Sequence, residues 1–163
     1  MANIDLVFRN KIEDKRWEQD FFEKIIKTAL AVLKRPVASD QRQVYLSINL
    51  IDEAEIRKLN KKYRGKNKPT DVLSFGMEDN LRKSLDKLGM NKSPIDLGDL
   101  FICLSIAKKE AKEENISMER KLAWLTVHGF LHLVGYDHEG SKCDATKMVT
   151  LEKKVLKALE VEM

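Results

Sequence analysis

The chain of 163 residues has three histidines, and all of them fall in one stretch, HGFLHLVGYDH at 128–138. His128 and His132 are four residues apart. On a helix that spacing sets two side chains one turn apart on one face, so both imidazoles can reach a single ion. Gly135 stands three residues beyond His132, where glycine commonly ends a helix by taking up a left-handed backbone that other residues resist. A chain that turns there can bring His138 back toward the other two. Three neutral imidazoles closing from a helix and the turn behind it make the tripod in which a catalytic zinc keeps its fourth position for water. Any one of these histidines alone, among Leu and Val, reads as a core residue with a satisfied hydrogen bond. The spacing of all three is what favours a metal.

The pattern H-x-x-x-H-x-x-G-x-x-H is similar to that of the metzincin metalloproteases, which carry a glutamate general base directly after the first histidine. Here that position is Gly129, so the metal frame is kept without the protease base. Glycine inside a helix costs roughly 1 kcal/mol relative to alanine. Gly129 therefore answers a need for close backbone approach or for room beside the metal, or else only helix packing. A structural zinc is the rival to a catalytic one, because Cys143, five residues past His138, can close a His3Cys tetrahedron with no open position. Against that, residues 139–142 look like a surface turn, and Cys143 begins or precedes the last helix.

The elements that must hold these residues follow from periodicity. Residues 4–8 suggest a first strand. Residues 17–33 carry Trp17, Phe21, Ile25, Ala29 and Leu33 at helical period, and Arg35-Pro36 ends that helix. Residues 44–51 alternate as a second strand. Asp52 with Glu55 forms a capping box for a short helix to about Tyr63. Strands are expected at 71–75 and 96–104, with a charged stretch between them that has one weak helical turn around 81–88. Ser105 can cap the next helix, and Ser117 the helix that carries the histidines. A last helix at 144–160 buries Met148, Leu151, Val155 and Leu159. The order β α β α β β α α α predicts an α/β (α+β) fold: a four-stranded sheet with about five helices, in a single domain over 1–163. The two consecutive strands can pair antiparallel, which makes the sheet mixed.

Composition sets the bounds. At 43% apolar and 34% charged residues the chain has the make-up of a globular protein. Its longest apolar runs, such as 29–33, are far too short for a bilayer. Residues 1–11 lack the apolar core of a signal peptide, so no export is expected, and without a spanning run no membrane partner is expected either. The cytoplasm is the expected compartment, with Cys103 and Cys143 as reduced thiols. Net charge is +4, and residues 57–68 hold seven basic side chains and no acid. Such a run either attracts phosphates or is simply a solvated helix face and loop.

With these pieces in hand, the sequence resembles the YbeY family of bacterial endoribonucleases from about Asn60 onward. The resemblance rests on LNKKYRGKNKPTDVLSF (59–75), LGDLFICL (97–104), HGFLHLVGYDH (128–138) and a trailing M-x-x-x-E at Met148 and Glu152. Gly76 stands where the family often has proline, and the segment 77–94 is longer than the family pattern. The resemblance implies a zinc-dependent, single-strand-specific endoribonuclease acting in 3′-end maturation of small-subunit ribosomal RNA and in ribosome quality control. It also implies a zincin-like fold with one zinc on His128, His132 and His138, and a functional arginine, Arg64. The implied partners are single-stranded RNA, ribosomal RNA and the small ribosomal subunit.

Bound zinc lowers the pKa of water from 15.7 to about 7, which makes a missing glutamate tolerable. Either activated water or the RNA's own 2′-OH would attack phosphorus. Arg64 suits the phosphate because its planar fork binds two oxygens; otherwise it is one more surface residue of a basic loop. Lys61, Lys62 and Lys66 would add charge contacts. Thr70 and Asp71 line the cleft or only cap the loop. Asp137 hydrogen-bonds a ligand imidazole or shuttles protons, or else is a turn residue or helix cap. Tyr63 stacks on a base or packs into the core. Two other functions compete: a metal-dependent hydrolase of another substrate, such as a peptide, and an RNA- or ribosome-binding protein whose zinc only holds the fold.

Overall fold

Alternating apolar residues at the two N-terminal strand segments form β1 (Asn3–Asn10) and β2 (Gln43–Ile51), which pair in parallel with Leu6 beside Leu46 and Phe8 beside Ile48. The computed structural model describes residues 3–33, 43–76, 94–136 and 142–160, with Cys143 and Asp144 by backbone alone. Between the two strands runs α1 (Gln19–Leu33), which buries Phe22, Ile25, Ile26, Ala29 and Leu30. Next comes α2 (Glu53–Arg64), started by Asp52, whose carboxylate accepts the Glu55 N–H at 2.8 Å. Then follow β3 (Val72–Phe75), β4 (Ile95–Cys103), α3 (Leu104–Glu113), α4 (Met118–Leu133) and α5 (Lys142–Ala158).

The sheet order is β1-β2-β4-β3, with β4 parallel to β2 and β3 antiparallel to β4 at the edge. The mixed four-stranded sheet with five helices among the described residues is the α+β fold expected. Alternate strand residues serve two cores. Leu46, Ile48, Leu100 and Ile102 pack with residues of α1, α4 and α5, while Ile51, Leu73 and Cys103 turn the other way to meet Ile56 of α2. Gly98 lies at the irregular β2–β4 pairing with φ +106°, and a Cβ there would fall 2.0 Å from the Phe75 carbonyl oxygen. Only glycine lets the end of β3 cross so closely.

Local differences have local causes. Ser117 caps α4 as expected, its Oγ accepting the Arg120 N–H at 3.1 Å. Ser105 does not cap α3. That helix starts one residue earlier, at the buried Leu104, and the Ser105 hydroxyl instead donates to Glu53 Oε1 at 2.9 Å. The last helix begins at Lys142 rather than 144, which puts Cys143 inside its first turn. The helical turn expected at 81–88 and the helix stop at Arg35-Pro36 lie outside the described residues. No helix among the described residues is long and apolar enough to cross a membrane.

Candidate metal centre

Helix α4 is buried nearly all round from Lys121 to Leu133, and only Trp124, His128 and His132 along that run are partly open. These three follow at intervals of four, so they form one stripe. The His128 and His132 Nε2 atoms are 3.3 Å apart. Two nitrogens bound to one tetrahedral zinc at 2.0–2.1 Å stand about 3.3–3.4 Å from each other, so the pair fits two corners of such a site.

A carboxylate from α5 fixes that geometry. Glu152 is buried, and its Oε1 lies 2.7 Å from His128 Nδ1. The carboxylate accepts, so Nδ1 carries the proton and the lone pair sits on Nε2, as a metal ligand requires. The other oxygen, Oε2, accepts the Trp124 indole N–H at 3.3 Å, and the Trp124 ring stacks on His128 with centroids 4.8 Å apart. Behind His132 the helix closes at Gly135, φ +97°, where the Gly135 N–H donates to His132 O and the Tyr136 N–H to Leu131 O. The left-handed turn foreseen for Gly135 is therefore present. Among the described residues no group of three metal-binding side chains converges. His138, the third expected ligand, lies outside the described residues, as do Asp137 and the Cys143 side chain.

The histidines open onto a cleft of about 490 Å³ whose far wall is the loop after α2 and the inner side of β3. Arg64, Thr70, Asp71, Ser74 and Gly76 line it opposite Trp124, His128 and His132. The cleft thus brings Arg64, Thr70 and Asp71 together with the histidine pair. Lys61, Lys62 and Lys66 are exposed but stand outside the lining. Asp71 lines the cleft, and its Oδ1 accepts the Thr70 hydroxyl at 3.1 Å and the Val72 N–H at 2.8 Å. Tyr63 is 58% exposed, which decides against core packing. Gly129 faces the sheet: a Cβ there would meet Leu100 Cδ2 at 2.5 Å. Its need is close approach of α4 to β4.

Burial pushes the Glu110 carboxyl above the usual carboxylate range, against the pull of the Lys121 ammonium, and neighbouring Asp71 adds to the rise. Sequence reasoning gave no site role to Glu152 or Trp124. A signal for Glu152 was present. It sits four residues after Met148 and three before Val155, so α5 aims a carboxylate into its own buried face, and a buried charge needs a partner.

A model of the family described as Endoribonuclease YbeY matches residues 7–160. Among curated relatives, the endoribonuclease YbeY of Geobacillus thermodenitrificans is 39% identical over 83% of this chain and 84% of its own length. That of Lactobacillus helveticus is 35% identical over 96% and 90%. The solution structure of TM1509 from Thermotoga maritima aligns with a TM-score of 0.58 over 96% of this chain and 92% of that one, at 24% identity, and so shares the fold. With its family model spanning both the Arg64 loop and the histidine helix, the chain belongs to the YbeY endoribonuclease family.

Proposed function

We propose that this protein is a zinc-dependent endoribonuclease that cuts single-stranded RNA, working in the cytoplasm on the 3′ end of small-subunit ribosomal RNA and in ribosome quality control. The observation that carries the reading is the histidine pair, 3.3 Å between Nε2 atoms, facing Arg64 across one cleft. His128, His132 and His138 hold one zinc per chain. When bound, the ion supplies a nucleophile at neutral pH and a Lewis acid for a phosphoryl oxygen.

The remaining work belongs to side chains. Glu152 keeps the His128 proton on Nδ1. Arg64 pairs with the scissile or adjacent phosphate and meets the charge that grows there during cleavage. Thr70 and Asp71 offer a hydroxyl and a carboxylate along the same wall, and Lys61, Lys62 and Lys66 draw the strand in by charge. Asp137 hydrogen-bonds a ligand imidazole or carries a proton. A peptidase reading fits less well, because Gly129 occupies the place of the general base. A purely structural zinc also fits less well, because the histidines line an open cleft that a closed site would not need.

The test is cleavage of a single-stranded RNA and of its duplex before chelation, after chelation and after zinc is restored, with zinc content measured alongside. Single-strand cleavage that disappears and returns with the metal is expected. Arg64→Ala should retain its zinc and its fold while losing about 10²–10³ in rate, the size of losing one donor to developing charge, and Arg64→Lys should recover only part. Cleavage indifferent to chelation would overturn the metal reading, and full activity in Arg64→Ala would remove the arginine from the mechanism.

A further inference from the structure

We propose that the outer face of β3 is a stacking platform for the single strand that enters or leaves the cleft, with Tyr63 as the ring on which a base lies. The proposal rests on the ribonuclease reading and adds to it a subsite outside the cleft. Along β3 the side chains alternate, so Ser74 and the following Gly76 line the cleft while Phe75 between them points to the opposite face. There its ring meets Phe101 of β4 at 5.7 Å and Tyr63 of α2 at 5.0 Å. Phe75 and Phe101 are half-buried, and Tyr63 is 58% exposed. The aromatic row therefore ends in an open ring braced from behind. Tyr63 directly precedes Arg64, which lines the cleft. Platform and cleft meet at the C-terminal end of α2, where β3 is the sheet's edge strand among the described residues.

The occupant follows from the surroundings. The ring stands in the run 57–68, with seven basic residues and no acid, so a polyanion is favoured. A flat aromatic beside cations suits a polyanion whose bases are unpaired, because every base has a π-face and a duplex hides it. The Lys62 ammonium lies 5.1 Å from the Tyr63 ring centroid. An exposed cation–π contact is weaker than a base–aromatic stack, so an arriving base displaces the ammonium, which is then available to the adjoining phosphate.

The experiment measures binding of a cleavage-resistant 2′-O-methyl oligouridine, and of the matching duplex, to the zinc-loaded protein over a range of salt. Tyr63→Ala should weaken single-strand binding by roughly 5- to 150-fold, the range for losing one stack, with an unchanged salt slope and no change in duplex binding. Tyr63→Phe and Tyr63→Trp should restore affinity, and Tyr63→Leu, apolar but not aromatic, should not. Neutralising Lys61, Lys62 and Lys66 should flatten the salt slope instead. Because Tyr63 is exposed, melting curves of the variants should match wild type. If Tyr63→Ala or Tyr63→Leu binds like wild type while wild type cleaves RNA, the platform is wrong and the ribonuclease reading stands. If wild type neither binds nor cleaves single-stranded RNA, that reading falls and the platform with it.

Discussion

Two basic side chains stand two turns apart on one face of α4, and they are held in different ways. The Lys121 ammonium lies 3.0 Å from Glu110, 2.8 Å from Glu114 and 5.2 Å from the Trp124 ring centroid. Burial opposes its charge, yet the Glu114 and Glu110 carboxylates outweigh that and hold its pKa above the ordinary lysine value. His128, stacked on the same indole, is held at Nδ1 by the Glu152 carboxylate, and its Nε2 turns toward His132 in the cleft. Trp124 divides the two sites, facing Lys121 and stacking on His128. A cation enclosed by carboxylates is architecture. An imidazole fixed at one nitrogen is an oriented side chain, because holding that nitrogen decides where the other points.

The comparison is tested hardest at Glu152. In Glu152→Gln the single amide oxygen can accept from the His128 Nδ1–H or from the Trp124 indole, and the amide NH2 then opposes the other donor. Zinc affinity should fall about 10–100-fold, the usual loss for a partner behind a metal ligand, as read by competition with a chromogenic chelator. Unchanged affinity would make Glu152 the counterpart of Glu110, a structural partner only. Lys121→Met probes the other side and should act on stability alone, lowering it by about 1–2 kcal/mol. That is less than for a fully buried pair, because the Glu110 and Glu114 side chains are 32% and 50% exposed. Since the folded pKa of Lys121 is raised, its contribution is complete below the ordinary value of 10.5 and is lost as pH rises through the folded value. The gap in melting temperature between wild type and Lys121→Met should thus hold from neutral pH to about 10 and narrow above it. Loss of zinc in this variant would mean that Trp124 couples the two sites.

What could be read in the sequence is what is encoded over short range. The interval of four between His128 and His132 needs only a helix, and Ser117 and Asp52 cap their helices through neighbours three residues on. Ser105 misled because a cap contributes about 1 kcal/mol whereas burying a leucine contributes about 1.5–3, and Leu104 is the residue that had to be buried. The antiparallel β3–β4 pair was legible as consecutive strands. The insertion of β4 between β2 and β3 was not, since it depends on pairings some fifty residues apart, such as Ser47 beside Asp99. Glu152 escaped for the same reason: its partner His128 lies 24 residues away on another helix. The face that Tyr63 would take depends on Phe75 and Phe101, which strand alternation reveals only once the sheet order is known.

The smallest effect belongs to Gly129, which touches the cleft on one side and the sheet on the other. Alanine there gains about 1 kcal/mol of helix propensity, while its Cβ would sit 2.5 Å from Cδ2 of the fully buried Leu100. Overpacking of that kind costs about 1–3 kcal/mol. The clashing atom is the end of a side chain, which can turn aside at the low end of that range. The two terms should nearly offset, leaving a net loss of about 1 kcal/mol or less in urea unfolding. The added methyl points at β4, so zinc affinity should not change. A variant of full stability that binds zinc poorly would reverse the assignment: Gly129 would then serve the metal rather than the packing, and α4 would owe its close approach to the sheet to its other residues.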